Sequence, residues 1–111
     1  MLDLSSITTE FLVAANQAVM ETGRFYHDPI ASVSSAAYYD SVEEQIASIY
    51  FQLAKSHYFV DGNKRTSVMV LKYLSQLCDL KIIDNDKLFD YTINLAETGK
   101  SVQVIAREVF I

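Results

Sequence analysis

The spacing of apolar residues along the chain predicts a succession of helices. Apolar side chains return every three or four positions, whereas the strict alternation that is typical of strands is almost absent. The approximate bounds of the predicted helices are residues 7–21, 29–39, 42–56, a stretch from the break at 61–62 to about 78, then 86–98 and 102–110. The pattern therefore predicts an all-α protein.

Local signals predict where these helices begin and end. Ser6 is the predicted cap of the first helix, and Gly23 is its predicted end. Residues 41–44, Ser-Val-Glu-Glu, match the capping box, in which side chains at both ends of a turn satisfy free backbone donors. Gly99 predicts the end of the fifth helix, and Ser101 predicts the cap of the last one.

Some segments depart from a one-sided helix. The helix after the break at 61–62 has apolar residues on most sides, from Val68 to Leu77 and Cys78, which predicts that it is central and buried. Residues 80–83 are predicted to be short and extended, and residues 24–27 to form an exposed aromatic loop. The aromatic residues that we expect to serve packing are Tyr38, Tyr39, Tyr50, Tyr58, Phe59 and Tyr73.

Length and composition predict one ordinary globular domain. With 111 residues, the chain has room for a single domain, which we expect to span residues 1–111. Hydrophobic residues make up 50% and charged residues 21%, which excludes extended disorder. No apolar run approaches the roughly 18 residues that span a bilayer, and the N-terminus lacks the features of a secretory signal. Because Cys78 is the only cysteine, no internal disulfide can form, and we expect a cytoplasmic protein without a membrane partner.

The charge of the chain is unevenly distributed. The net charge of −5 argues against general binding to nucleic acid. Between Lys55 and Lys72, however, four basic residues and one acidic residue give a local charge of +3, while the rest of the chain carries −8. The positive charge is therefore concentrated around one short segment.

That segment, residues 57–66 (HYFVDGNKRT), is predicted to be a loop that enters a helix. A helix N-terminus offers free N–H groups and the positive end of the dipole, which together favour anions. Gly62 lets a phosphate approach the backbone closely. Lys64 and Arg65 lie in the first turn, where the dipole disfavours each cation by roughly 0.3–1 kcal/mol. Two adjacent cations there indicate that an anion such as a di- or triphosphate lies among them.

Two more side chains of the segment suit phosphate chemistry. Asp61 is a carboxylate beside the expected phosphates, which is how proteins commonly hold Mg²⁺. His57 could be the base that takes a proton from an attacking hydroxyl. Taken singly, the residues also have structural interpretations: a dipole partner for His57, a turn for 61–62, a helix cap for Asn63 and a solvated pair for Lys64 and Arg65. On residue types alone, both interpretations stay open.

Other catalytic patterns fit the chain poorly. The stretch that begins at Gly62 lacks the second glycine of a Walker A loop. His27 and His57 are too far apart in sequence for the usual spacing of metal ligands. Cys78 is expected to pack in the core rather than to act as a nucleophile.

The same segment resembles the signature of the Fic/Doc family, His-x-Phe-x-Asp/Glu-Gly/Ala-Asn-Gly/Lys-Arg. The matching residues are His57, Phe59, Asp61, Gly62, Asn63, Lys64 and Arg65. Within the family, the chain is more similar to the Doc branch, the death-on-curing toxins of toxin–antitoxin modules. Doc proteins have lysine at the position of Lys64, where Fic enzymes usually have glycine. They also lack the second arginine of Fic enzymes, whose position here is Val68.

The resemblance implies a compact single-domain Fic-type helical fold with a short flap loop. It implies an enzyme that transfers part of a nucleoside triphosphate to a protein hydroxyl. The implied roles are a general base for His57, a ligand of Mg²⁺ for Asp61, a phosphate cradle for Gly62, Asn63, Lys64 and Arg65, and a target-docking flap for Arg24, Phe25, Tyr26 and His27. The flap would align a target peptide by strand addition.

For a Doc-like protein, the implied activity is transfer of the γ-phosphate of ATP, with a threonine of elongation factor Tu as the target. Many Fic enzymes carry an inhibitory Ser/Thr-x-x-x-Glu-Gly/Asn helix, but here Ser6 to Glu10 is followed by Phe11. The resemblance therefore implies restraint by a separate antitoxin. Two alternatives stay open: a Fic-type AMP transferase and a catalytically silent module that only binds a partner.

Overall fold

A computed structural model describes residues 2–19 and 22–111, and within them the fold is all-α, as predicted. The six α-helices of these residues are α1 (Thr9–Ala18), α2 (Ala31–Ser34), α3 (Val42–Lys55), α4 (Asn63–Leu77), α5 (Asn85–Thr98) and α6 (Val102–Val109). None of them combines the length and the apolar character that crossing a membrane requires.

Helix α3 lies at the centre of the fold. It packs against α2, α4, α5 and α6, so apolar side chains on most of its surface are enclosed. Tyr50 is fully buried on this helix, and its hydroxyl is hydrogen-bonded to Thr92 Oγ1 of α5 at 2.6 Å. Burial raises the pKa of Tyr50 to about 12. The other fully buried apolar residues of α3 are Ile46, Ala47, Ile49 and Leu53.

Helix α4 is less enclosed than its apolar composition predicts. It packs against α1, α3 and α5, and Leu71 and Leu74 are buried in these contacts. Leu77, expected in the core, is 62% exposed, and Tyr73, expected to pack, is 51% exposed. The reason is that the described neighbours leave one side of α4 open from its first turn onward.

Most of the predicted helix ends are confirmed. Ser41 and Ser101 each accept a hydrogen bond from the backbone N–H three residues later, at 3.1 and 3.3 Å. Gly99 ends α5 with a φ of 74°. The extended segment after α4 is also confirmed, since Ile82 forms an antiparallel bridge with Phe110 and so fastens the C-terminus to the core.

The start of the first helix differs from the prediction. Ser6 belongs to a 3₁₀ turn, Leu4–Ser6. Its hydroxyl donates to the backbone carbonyl of Asp3, the residue before this turn, at 2.7 Å. Serine competes in this way with the helical bonds of the backbone. Thr8 is the cap instead, because its Oγ1 accepts from the N–H of Phe11 at 3.1 Å. The predicted end near residue 21 lies outside the described residues, and the helix ends before it, at Ala18 with Val19 as its C-terminal cap, so Gly23 does not end it.

The predicted second helix is broken into two short pieces. Helix α2 has four residues, and a 3₁₀ turn, Ala36–Tyr38, follows it. The segment is rich in serine and alanine, which bury little apolar surface, and Ser32 donates its hydroxyl to the backbone carbonyl of Pro29 at 2.7 Å. Tyr38, which was expected to pack, is 86% exposed at the end of this segment.

Candidate functional site

The loop between α3 and α4 is anchored by Phe59 and Asn63. Phe59 is 1% exposed, which confirms its predicted place in the core beneath the loop. Asn63 bonds to both backbone groups of Phe59: its Oδ1 accepts from the N–H at 3.0 Å, and its Nδ2 donates to the carbonyl at 2.9 Å. The interpretation of Asn63 as a helix cap is therefore wrong, because its side chain reaches back to hold the loop.

Gly62 occupies the cap position of α4. Its φ of 74° and ψ of 20° lie in the left-handed region, which glycine adopts without strain. Its carbonyl accepts from the N–H and the hydroxyl of Thr66, at 2.8 and 2.7 Å, and its N–H donates to Asp61 Oδ1 at 2.8 Å. This turn leads the chain abruptly from the loop into the helix.

A buried asparagine on α1 supports the same turn from behind. Asn16 is 1% exposed, and its Nδ2 donates to the carbonyl of Asp61 at 2.9 Å and to Thr66 Oγ1 at 3.0 Å. Its Oδ1 accepts from the N–H of Gly23 at 3.0 Å, at the entrance to the flap. One side chain thus joins α1, the loop, α4 and the flap. Asn16 was not predicted, and its only signal in the sequence is an amide beside the apolar face of α1.

The first turn of α4 combines free backbone donors with two cations, Lys64 and Arg65. The N–H groups of Asn63, Lys64 and Arg65 precede the first intrahelical hydrogen bonds, and no acidic residue lies in this turn. Lys64 and Arg65 are exposed, and neither forms an ion pair with any residue in 2–19 or 22–111. Together with Asp61 and Gly62, these residues line an open cavity of about 350 Å³. Such an arrangement favours an anion with several oxygen atoms.

The carboxylate of Asp61 lies at the edge of this cavity. It is exposed, and one of its oxygens accepts from the N–H of Gly62. In the described part of the chain, no group of three or more His, Cys, Asp or Glu side chains is placed to hold a metal ion. Mg²⁺ shared between a single carboxylate, phosphate oxygens and water fits this donor set, because Mg²⁺ commonly keeps several waters and binds through one or two carboxylates.

The flap, residues 24–27, lies alongside the loop. Phe25 forms an antiparallel bridge with Phe59, and the flanking backbone hydrogen bonds between the two segments are 2.7 and 3.1 Å long. The predicted exposure of the flap is confirmed: Phe25 is 42% exposed and Tyr26 is 67% exposed. Its pairing with the loop depends on residues more than thirty positions apart and has no local signal in the sequence.

His57 is exposed at the start of the loop, directly before Tyr58, whose backbone carbonyl accepts from the flap. Burial raises the pKa of the Tyr58 hydroxyl above its usual range. The predicted site residues are therefore carried by three adjoining elements: the loop, the flap that pairs with it and the first turn of α4.

The sequence model of the Fic/DOC family matches residues 8–75. This match covers more than half of the 111 residues and runs from the cap of α1 through most of α4, so it includes the flap, the loop and the cavity. No curated protein matches the chain. The chain belongs to the Fic/DOC family, whose members generally transfer nucleotide groups to proteins.

Proposed function

We propose that this protein is a Doc-like kinase that transfers the γ-phosphate of ATP to a hydroxyl group of a protein target. The observation that carries the proposal is the first turn of α4, where three free N–H groups and two cations line one cavity beside Asp61. Neither cation pairs with an acidic residue among residues 2–19 and 22–111. A triphosphate has the several anionic oxygens that such a set of donors can bind. Membership of the Fic/DOC family supports a protein as the acceptor.

In the proposed reaction, His57 is the general base. Its imidazole takes the proton of the target hydroxyl while the hydroxyl oxygen forms a bond to the γ-phosphorus. The bond from the γ-phosphorus to the oxygen that bridges it to the β-phosphate breaks, and its electron pair leaves with ADP. Arg65 contacts phosphate oxygens as a two-pronged donor and Lys64 as a point charge. Asp61 would hold Mg²⁺, which offsets phosphate charge when it is bound.

The preference for phosphate over AMP transfer rests on positions 64 and 68. Lys64 adds a charge at the start of the turn, where Fic enzymes usually have glycine. Val68 is apolar and 6% exposed, so the helix offers no cationic contact to a phosphate one turn further along. Positive charge is thus concentrated next to the loop that carries His57. This distribution favours the terminal phosphate in line with the target hydroxyl.

The partners in this proposal are a protein substrate and an antitoxin. The exposed flap suits an extended target peptide that adds to it as a strand. Following the Doc resemblance, we expect the acceptor to be a threonine of elongation factor Tu and the toxin to act in the cytoplasm. Expression of the protein alone should arrest growth, and a short acidic or amphipathic partner encoded beside it should relieve the arrest. Normal growth at a high level of folded protein would contradict the toxin assignment.

The experiment that tests the activity is transfer from ATP labelled at either the α- or the γ-position to purified elongation factor Tu and to a cell lysate. Label from the γ-position alone would support the kinase. Label from the α-position would show AMP transfer, and no label with folded protein would favour the silent binding module. The protein substituted His57→Ala is the negative control for both labels.

The orientation of the nucleotide can be tested by exchanging the two discriminating residues. Lys64→Gly combined with Val68→Arg should shift the product from a phosphate adduct toward an AMP adduct, because positive charge moves from the start of the turn to a point further along α4. Mass spectrometry of the modified target distinguishes these adducts. An AMP adduct formed by the wild type would overturn the kinase assignment.

A further inference from the structure

The flap is fastened to α1 at both of its ends. At its start, the N–H of Gly23 donates to Asn16 Oδ1 at 3.0 Å. At its far end, the hydroxyl of Thr9, in the first turn of α1, donates to Asp28 Oδ1 at 2.8 Å. Between these two contacts, the backbone of the flap pairs with the loop. Of the two contacts with α1, the one at Asn16 also reaches the phosphate site.

Asn16 uses the full donor capacity of its amide at this junction. Both hydrogens of its Nδ2 are donated, to the carbonyl of Asp61 and to Thr66 Oγ1, while its Oδ1 accepts from Gly23. The amide is planar, so a tilt that follows one of these partners lengthens or bends the bonds to the other two. Because Asn16 is 1% exposed, water does not replace a bond that is lost, and the unpaired group then carries the cost of burial. Asn16 therefore makes the positions of its three partners depend on one another.

On the phosphate side, Asn16 controls two consecutive peptide groups. The carbonyl of Asp61, to which Asn16 donates, lies in the same planar peptide group as the N–H of Gly62. Thr66 Oγ1, the second partner of Asn16, donates to the carbonyl of Gly62 at 2.7 Å. That carbonyl shares its peptide group with the N–H of Asn63, one of the free donors in the first turn of α4. Asn16 thus orients the backbone donors at the start of the phosphate cradle.

On the flap side, the chain is packed directly onto α1. Gly23 has a φ of 76°, and a Cβ atom at this position would lie 2.9 Å from Val13 Cγ1 of α1. The carbonyl of the next residue, Arg24, accepts from the N–H of Val60 at 3.1 Å, which is one of the bonds that pair the flap with the loop. Because Gly23 is in close contact with α1, a shift of Asn16 displaces the start of the flap as well.

We propose that Asn16 is a positioning residue that couples the flap to the phosphate cradle, an inference that rests on the proposed function. The flap opens locally when its bonds to Asn16 and to the loop break, and an anion that holds the cradle in place makes this opening less favourable through Asn16. The coupling is reciprocal: an extended peptide on the flap raises the affinity of the cradle for phosphate by the same factor. In the proposed reaction, the acceptor hydroxyl and the terminal phosphate are thereby brought into position together.

Amide hydrogen exchange of the flap, followed by NMR with and without saturating tripolyphosphate and Mg²⁺, measures this coupling. The amides to follow are those of Gly23 and Tyr26, which donate to Asn16 and to the carbonyl of Tyr58. At saturation, confirmed by calorimetric titration, the factor by which exchange slows equals the ratio of the affinities for the closed and the open flap. In the wild type, we expect exchange to slow by about fivefold or more.

Variants at both ends of the connection locate the coupling. Asn16→Ala should accelerate the exchange of Tyr26 and abolish its slowing by tripolyphosphate, whereas loss of a purely structural residue would change exchange equally with and without the ligand. Thr66→Val removes one connection to the cradle and should reduce the slowing, but it should leave ligand-free exchange of Gly23 near the wild-type rate. Thr66→Ser keeps the hydroxyl and should retain the slowing. Asn94→Ala, at an exposed position of α5, is the matched control and should respond as the wild type does.

If tripolyphosphate slowed the exchange of Tyr26 in Asn16→Ala as much as in the wild type, the inference would be overturned. Unchanged flap exchange in a wild type that binds tripolyphosphate would overturn it too, and the phosphate site would stand in both cases. If the wild type bound no tripolyphosphate, the phosphate site of the proposed function would fail together with the inference. If Asn16→Ala did not fold, the two Thr66 variants decide: reduced slowing in Thr66→Val alone supports the coupling, and equal slowing in both overturns it.

Discussion

Two regions of this molecule differ in whether their charged side chains contact a partner of opposite charge. Between α5 and α6, Lys100 Nζ lies 2.8 Å from Glu108 Oε1, and the hydroxyl of Tyr91 donates to the same oxygen at 2.9 Å. Lys100 also lies 4.8 Å from the centre of the Tyr91 ring. At the start of α4, Lys64 and Arg65 have no such partner in the described residues and stand at the positive end of the helix dipole.

This difference separates a structural contact from a candidate site. An exposed ion pair contributes little to stability, but it leaves neither charge without a partner. The cations of α4 cost roughly 0.3–1 kcal/mol each in the absence of an anion, because the dipole repels them. No acidic side chain in the described part of the chain offsets this cost, whereas a ligand that supplies negative charge would. Unsatisfied charge beside free N–H groups is therefore a better guide to function than the number of charges.

The largest expected effect is at His57. His57→Ala should slow transfer by about 10²–10⁴-fold, which is the usual contribution of a positioned base. The thermal unfolding midpoint should hardly change, since the side chain is exposed. Label transfer and circular dichroism measure the two quantities. If the His57→Ala protein lost its helical signal at a clearly lower temperature than the wild type, as well as its activity, His57 would be a structural residue.

Asn16→Ala should weaken both the fold and the site. It removes the shared partner of Asp61, Thr66 and Gly23, and leaving a buried polar group unpaired costs about 1–3 kcal/mol. We expect a lower urea midpoint and weaker binding of tripolyphosphate, because the turn at the start of α4 loses its support. Gln17→Ala, at the exposed neighbouring position, is the matched control. If the Asn16→Ala protein were destabilised but bound tripolyphosphate normally, Asn16 would stabilise the fold without supporting the site.

The contrast between local and distant contacts also explains what the sequence could predict of the fold. The caps at Ser41 and Ser101 were predictable because each depends on a hydrogen bond to a residue three positions away. The interpretation of Asn63 as a helix cap was wrong, because Gly62, in a left-handed conformation, takes the cap position and leaves the amide for Phe59. Asn16 could not be predicted, since its partners on the loop and α4 lie 45 and 50 positions away.

The candidate site follows the same rule. The meeting of residues 61–65 at one cavity was predictable, because they are consecutive in the sequence and one turn of chain brings them together. The pairing of the flap with the loop was not predictable, because the paired residues lie more than thirty positions apart in the sequence. Tyr73 and Leu77 look like core residues by their spacing, and only the packing of the neighbouring helices leaves them exposed.

Neutralising cations should change stability with opposite sign at the two regions. Lys64→Gln and Arg65→Gln should each raise the ligand-free free energy of unfolding by about 0.3–1 kcal/mol, because they relieve repulsion by the dipole. Lys100→Gln should lower it slightly, because Glu108 loses its partner. Tripolyphosphate should stabilise the wild type and Lys100→Gln, and stabilise Arg65→Gln much less. Urea unfolding with and without tripolyphosphate measures these changes. If tripolyphosphate stabilised Arg65→Gln as much as the wild type, Arg65 would not contribute to binding this ligand.

The smallest expected effect is the pH dependence of the contact between α5 and α6. Hydrogen bonds from Lys100 and then from Tyr91 hold the pKa of Glu108 below its usual range. Because the pKa is depressed in the folded state, the stabilisation is present above the pKa of Glu108 in the unfolded chain. It is lost as the pH falls through the folded-state value. The difference in unfolding midpoint between the wild type and Glu108→Gln should therefore be largest near neutral pH and shrink in acid. A difference that stays constant down to acidic pH would mean that the charge of Glu108 does not stabilise this contact.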